Sequence, residues 1–138
     1  MNILRPAIDA KFLDSTIYND VQGRCYYLDA DSPDYPRVVY FRVSGVPDNV
    51  FAKSGETVLI QFDLYSQKSA GKQEILTMEK DLTVLFDDCV LPLTGKLMVG
   101  FQRQNIIGPM DEDASALQDG TNMIYHTAID YEATYQAT

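Results

Sequence analysis

Between Glu56 and Ser66 the chain alternates in a way that leaves few folds open to it. Val58, Ile60, Phe62 and Leu64 are apolar; Thr57, Gln61 and Asp63 between them are polar, with Leu59 and Tyr65 as exceptions. Side chains of an extended chain point to opposite faces in turn, so this period of two requires a strand with one face against a core. A covering element follows directly. Ile75, Met78, Leu82 and Leu85 recur at helical spacing, and Phe86 and Cys89 extend the stripe. That pattern predicts a helix over about Ala70–Asp87, with Ser69 as N-cap and Pro92 and Gly95 closing the segment.

The remaining elements repeat the scheme. Pro6 to Asp20 reads as a helix: proline suits a first turn, Ile8 and Phe12 share a face, and Leu13 and Ile17 continue it towards Gly23. Cys25 to Pro36, with Pro33, Pro36 and three aspartates, reads as a turn-rich connector. Arg37 to Ser44 is a β-branched and aromatic strand stopped by Gly45 and Pro47. In Lys96–Arg103, Leu97, Val99 and Phe101 share one face; in Asn122–Tyr135, Met123, Tyr125, Ile129, Tyr131 and Tyr135 share another. The expectation is a two-layer α+β fold, two helices on a four-stranded, mainly antiparallel sheet in the order α-β-β-α-β-β. At 138 residues the chain fits a single domain, 1–138. Gln104–Thr121 is left as a long acidic connector between the last two strands, and connectors of that length in compact domains usually carry function.

Charge narrows the function. Eleven basic against 20 acidic residues give a net charge of −9, and no Lys or Arg follows Arg103. Asp111, Glu112, Asp113, Asp119, Asp130 and Glu132 all fall in that tail. A chain that grips nucleic acid neutralises phosphates with Lys and Arg, so this one has the wrong sign. A surface past which DNA slides without sticking is compatible with it. The longest stretch free of Asp, Glu, Lys and Arg, Gly120–Ile129, is ten residues, half of what a membrane helix needs. The early charges Arg5, Asp9, Lys11 and Asp14 do not suit a signal peptide. The expectation is synthesis in the cytosol with Cys25 and Cys89 as reduced thiols. Two cysteines and one histidine cannot make a Cys/His metal site without carboxylates.

The candidate motifs have plain readings. Gly71-Lys72 opens a helix after a strand, but a phosphate-binding loop needs Gly where Ser66 stands and Ser or Thr where Gln73 stands. Asp111-x-Asp113-x-Ser115 begins like a calcium loop, yet Ala116 and Asn122 replace the required Gly and Glu. His126 is the lone histidine and suits acid–base work. Asp130 lies about 13 Å along the same strand, too far to orient it, and no sequence signal names a cross-strand carboxylate. Cys89 follows Asp87 and Asp88, which disfavour a thiolate, so it reads as packing. The tyrosines suit core and interface equally.

Taken together, the N-terminal helix, Tyr35-Pro36-Arg37-Val38-Val39-Tyr40 running to Gly45-Val46-Pro47, the Val58–Ser66 strand and the following helix set a pattern that Tyr125-His126 and Ile129-Asp130-Tyr131 complete. In architecture and spacing this resembles the tail-terminator, or tail-completion, family of long-tailed bacteriophages and related prophage tails. The long acidic segment Gly108–Gly120 departs from the family's usual pattern. The resemblance implies a structural virion protein without enzyme activity or cofactor. It implies a ring, typically of six copies, on the head-proximal end of the tail tube, assembled in the host cytoplasm. Its partners would be further copies of itself, the major tail tube protein and a head-closure or connector protein, with DNA passing through the lumen unbound. Ile106, Ile107, Met110, Asp111, Glu112, Asp113 and Leu117 are the expected interface or lumen residues, because apolar ends flank an acidic centre. The alternatives are another neck or tail ring component, such as a head-closure or tube protein, and a small-molecule-binding α+β domain, since a fold does not dictate function.

Overall fold

A computed structural model describes residues 1–50, 53–113 and 123–138, apart from the side chains of 48–50, 53, 54 and 113. The elements in chain order are α1 (Leu4–Phe12), α2 (Thr16–Asp20), β1 (Cys25–Tyr27), β2 (Arg37–Val50), β3 (Lys53–Gln67), α3 (Lys72–Phe86), β4 (Lys96–Asp113) and β5 (Met123–Ala137). The class is α+β, as expected. Among the described residues the sheet has five strands rather than four, ordered β1-β2-β3-β5-β4, and three helices cover it rather than two.

Each difference has a local cause. The expected helix Pro6–Asp20 breaks after Phe12: Leu13 is extended, Asp14 adopts φ 60°, and Ser15 starts again as an N-cap. The Ser15 hydroxyl accepts the Tyr18 N–H at 3.2 Å and donates to the Phe12 carbonyl at 2.6 Å. The corner lets Phe12 and Ile17 both enter the core and turns Leu13 out to solvent. β1 lies in the expected turn-rich connector and pairs in parallel with β2, Cys25 opposite Val38; three residues are too few to show a period. β2 runs on through Gly45 and Pro47, which pair with Val58 and Glu56 of β3. Pro47 is tolerated because β1 covers β2 only as far as Tyr40, which leaves β2 an edge strand at the proline, paired on the β3 side alone. Ser69 sits in a 3-10 turn, and α3 starts instead from Gly71 at φ +89°, without a side-chain cap.

The core is a cluster of rings between sheet and helices. Phe62 of β3 stacks on Phe86 of α3 with ring centroids 4.8 Å apart and meets Tyr131 of β5 edge-on at 5.7 Å. Phe12 of α1 reaches Phe86 at 5.1 Å, and Phe101 of β4 reaches Tyr131 at 5.1 Å. The alternation read from β3 is fully realised: Val58, Ile60, Phe62 and Leu64 are all buried. On β5 the inward set is Tyr125, Ile129, Tyr131, Ala133 and Tyr135. In β4 the expected shared face of Leu97, Val99 and Phe101 is wrong. A bulge between Met98 and Gly100 leaves Val99 unpaired and flips the alternation, so Met98 and Phe101 are buried while Leu97 and Val99 are exposed.

The largest correction concerns the acidic connector. Gln104–Asp113 is strand, not loop: β4 continues against β5 from Lys96 opposite Ala137 to Asp113 opposite Met123. Weak periodicity hid it, because further register shifts between Arg103 and Asn105 and between Ile107 and Met110 reset the alternation twice. The rest of the connector, 114–121, lies outside the described residues.

Candidate functional site

The three helices described pack on the sheet face that carries Phe62 and Tyr131, so among the described residues the opposite face has no helix over it. Register assigns its residues. Arg37 of β2 lies opposite Tyr65 of β3, Tyr65 opposite His126 of β5, and His126 opposite Met110 of β4. These side chains form a ladder. The Arg37 guanidinium sits 4.6 Å from the Tyr35 ring centroid and 5.3 Å from that of Tyr65, and Tyr65 stacks on the His126 imidazole at 4.6 Å, 13° from parallel.

His126 is held at both nitrogens. Nε2 lies 3.0 Å from Asp63 Oδ1, and Nδ1 lies 2.7 Å from Glu112 Oε1. Asp63 is buried, and its Oδ1 also accepts from Gln61 Nε2 at 2.8 Å. The hydrogen bond to Asp63, helped by that to Glu112, raises the imidazole pKa above its usual 6.5 against the opposing effect of burial. Asp130, on the same face, has its carboxyl raised by burial and by Asp63, and its Oδ1 is buried without a hydrogen-bond partner. With both nitrogens engaged by carboxylates, the ring ties β3, β5 and β4 together and offers no free nitrogen to a reacting group. Among the described residues no group of three or more His, Cys, Asp or Glu side chains is placed to hold a metal ion.

The expected interface residues separate in the structure. Ile107, Met110 and Glu112 share the helix-free face, opposite Ala128, His126 and Ile124; Ile106 and Asp111, opposite Ile129 and Tyr125, are on the helix side. Ile107 is half exposed, and Asp111 makes an exposed ion pair with Lys68 at 3.0 Å. Asp113 is in β4 with its side chain undescribed, and Leu117 lies outside the described residues. The carboxylate missing from the sequence reading is Asp63. Its signal was there: an acidic residue in the middle of a strand that is otherwise apolar or uncharged from Thr57 to Ser66.

Gly108 completes the cluster's backbone. It has φ +115°, and a Cβ there would lie 2.6 Å from the His126 carbonyl oxygen, so the β4 bulge crosses β5 where only hydrogen fits. On the helix side, hydroxyls inserted between sheet and helix bind carboxylates: Ser66 to Glu74 at 2.6 Å, Thr127 to Glu79 at 2.7 Å, and Tyr131 to Asp87 at 2.6 Å. Burial pushes the Cys25 thiol up to about 12 and the Cys89 thiol up to about 11, which makes both poor nucleophiles near neutrality.

Among the described residues two strand edges carry exposed apolar side chains. β4 forms one edge of the sheet along its whole length, with Val99 at 61% and Ile107 at 50% exposure. The other long edge is β2 beyond Tyr40, where Val43 and Val46 are exposed. Unpaired strand edges with apolar side chains are places where another chain can add.

No family model matches the chain, and no curated protein matches it in sequence. Solved structures do match in fold. One is a chain from the virion of a native gene transfer agent particle, with a TM-score of 0.76 at 10% identity, over 99% of this chain and 96% of that one. The two share a fold along almost their whole lengths. A second solved chain gives a TM-score of 0.57 at 9% identity, over 99% of this chain and 94% of that one. No helix among the described residues is long and apolar enough to cross a membrane.

Proposed function

We propose that this chain is a structural protein of a phage-type virion, and within that class a tail terminator: a ring on the head-proximal end of the tail tube that stops tube growth and docks the head. The observation that carries the reading is the end-to-end fold likeness to a gene transfer agent virion chain. It agrees in class with the family that the sequence resembles. The chain is read as a building block, without enzyme activity of its own.

A closed ring requires two different patches on each subunit, one meeting the other around an axis. The β4 edge and the β2 edge beyond Tyr40 are two such patches, on opposite sides of one sheet. In the ring, copies of this chain would contact each other, the major tail tube protein on one side and a head-closure or connector protein on the other. DNA would pass through the lumen unbound, in keeping with a net charge of −9. Six copies is the number the resemblance suggests.

Native mass spectrometry of the protein alone, and electron microscopy after mixing it with purified tail tubes, test the reading. A monomer or closed ring alone, adding to a single end of each tube, is the expected result. Open filaments formed by the protein alone would favour a tube protein instead, and a ring that binds only the head side would favour head closure.

A further inference from the structure

We infer that His126 is a proton-operated clasp: its imidazolium binds the Glu112 end of β4 down to Asp63 on the helix-free sheet face, and loss of one proton releases it. The inference stands on geometry and holds whether or not the chain forms rings. Both ring nitrogens lie within hydrogen-bond distance of a carboxylate oxygen, 3.0 Å for Asp63 and 2.7 Å for Glu112. A carboxylate accepts and does not donate, so both bonds exist together only when both nitrogens carry hydrogen. A neutral ring keeps one N–H and turns a lone pair towards the other carboxylate, which is repulsive.

Which partner is released follows from exposure. The Asp63 side chain is 10% exposed and the Glu112 side chain 41%. Asp63 also has Gln61 as a second donor, whereas Glu112 can swing into water. Glu112 is therefore the side that opens. The other groups facing the ring are consistent with this assignment. Tyr65 of β3 stacks on it, with its hydroxyl pushed by burial up to about 12 and so neutral throughout the working range. Asp130 of β5 lies on the same face with its own carboxyl raised by burial and by Asp63, and Arg37 of β2 sits over the Tyr65 ring. The imidazole's raised pKa sets the sign: the clasp is fully closed below the ordinary value of 6.5 and opens as pH rises through the elevated folded-state value. An assembly surface next to Ile107 and Met110 would thereby sense the proton.

A single histidine gives a clean readout. The imidazole of the full chain is titrated by NMR while amide hydrogen exchange is followed at residues 110–112 and 123–125. The expected result is a His126 midpoint above 6.5 that falls in Glu112→Gln, with exchange at those amides, corrected for intrinsic rates, rising about tenfold as pH passes through the midpoint. In Glu112→Ala, which removes only a partly exposed side chain and leaves Nδ1 no partner there, the step should vanish with exchange already fast at low pH. A midpoint unchanged by Glu112→Gln, or corrected exchange that stays flat through the titration, would overturn the clasp.

Discussion

Asp20 is a carboxylic acid whose ionisation opposes the fold. Burial, then Asp81 beside it, then Glu74 push its carboxyl up to about 7, and its Oδ2 is buried without a hydrogen-bond partner. For an acid, a raised folded-state pKa means that the folded chain holds a proton the unfolded chain has already lost. Stability from this site therefore falls as pH rises from about 3.8 to about 7 and is level above that. Asp20→Asn removes the charge and should gain on the order of 1 kcal/mol at pH 8, less than the full ~1.4 kcal/mol per pH unit because water screens partly exposed carboxylates. At pH 4 the gain should disappear. Urea unfolding of both proteins at the two pH values measures it, and an equal gain at both would show that repulsion is not the cause.

At the scale of elements, β4 is the most informative strand. Its outer third is anchored by two unlike devices, the His126–Glu112 contact and the Gly108 bulge packed on the His126 carbonyl. Gly108→Ala demands a φ near +115° from an L-residue and places a methyl carbon 2.6 Å from that oxygen. A loss of about 1–3 kcal/mol is expected, from backbone strain of this kind. Denaturant unfolding gives the loss, and the histidine NMR signal should shift with it because the backbone beneath the ring has moved. An unshifted signal with wild-type stability would mean that the bulge relaxes freely. The same bulges explain why the far half of this strand is hard to read in sequence: alternation is the main signal of a half-buried strand, and each extra residue reverses it. β3 and β5 align continuously with each other from Gly55 opposite Gln136 to Gln67 opposite Ile124, and the inward faces expected from their alternation are the buried ones, although both strands run past the expected ends.

For the whole molecule the governing quantity is charge. A net −9 is carried by a chain whose helix-free sheet face presents Asp63, Glu112, Asp130 and Glu132. Phosphate binding depends on released counterions and hence on clustered Lys and Arg. The isolated protein should therefore show no duplex-DNA binding in a fluorescence-anisotropy titration at physiological salt. Tight binding that weakens steeply with added salt would contradict the charge argument and the unbound-lumen part of the proposed ring.

The sequence by itself determined the α+β class, the inward faces of β3 and β5, the stripe of α3 and the acidity of the C-terminal quarter. Those are local or summed properties: a period of two, a period near 3.6, and a count of charges. Tertiary structure decided the rest. Only strand pairing could turn the acidic connector into the far half of β4, or recruit Cys25–Tyr27 as a parallel edge. Only register could bring Asp63 and Glu112, 49 positions apart in the chain, to the two nitrogens of His126. Contacts between distant strands depend on which residues face each other across a ladder, and no window of neighbouring residues contains that information.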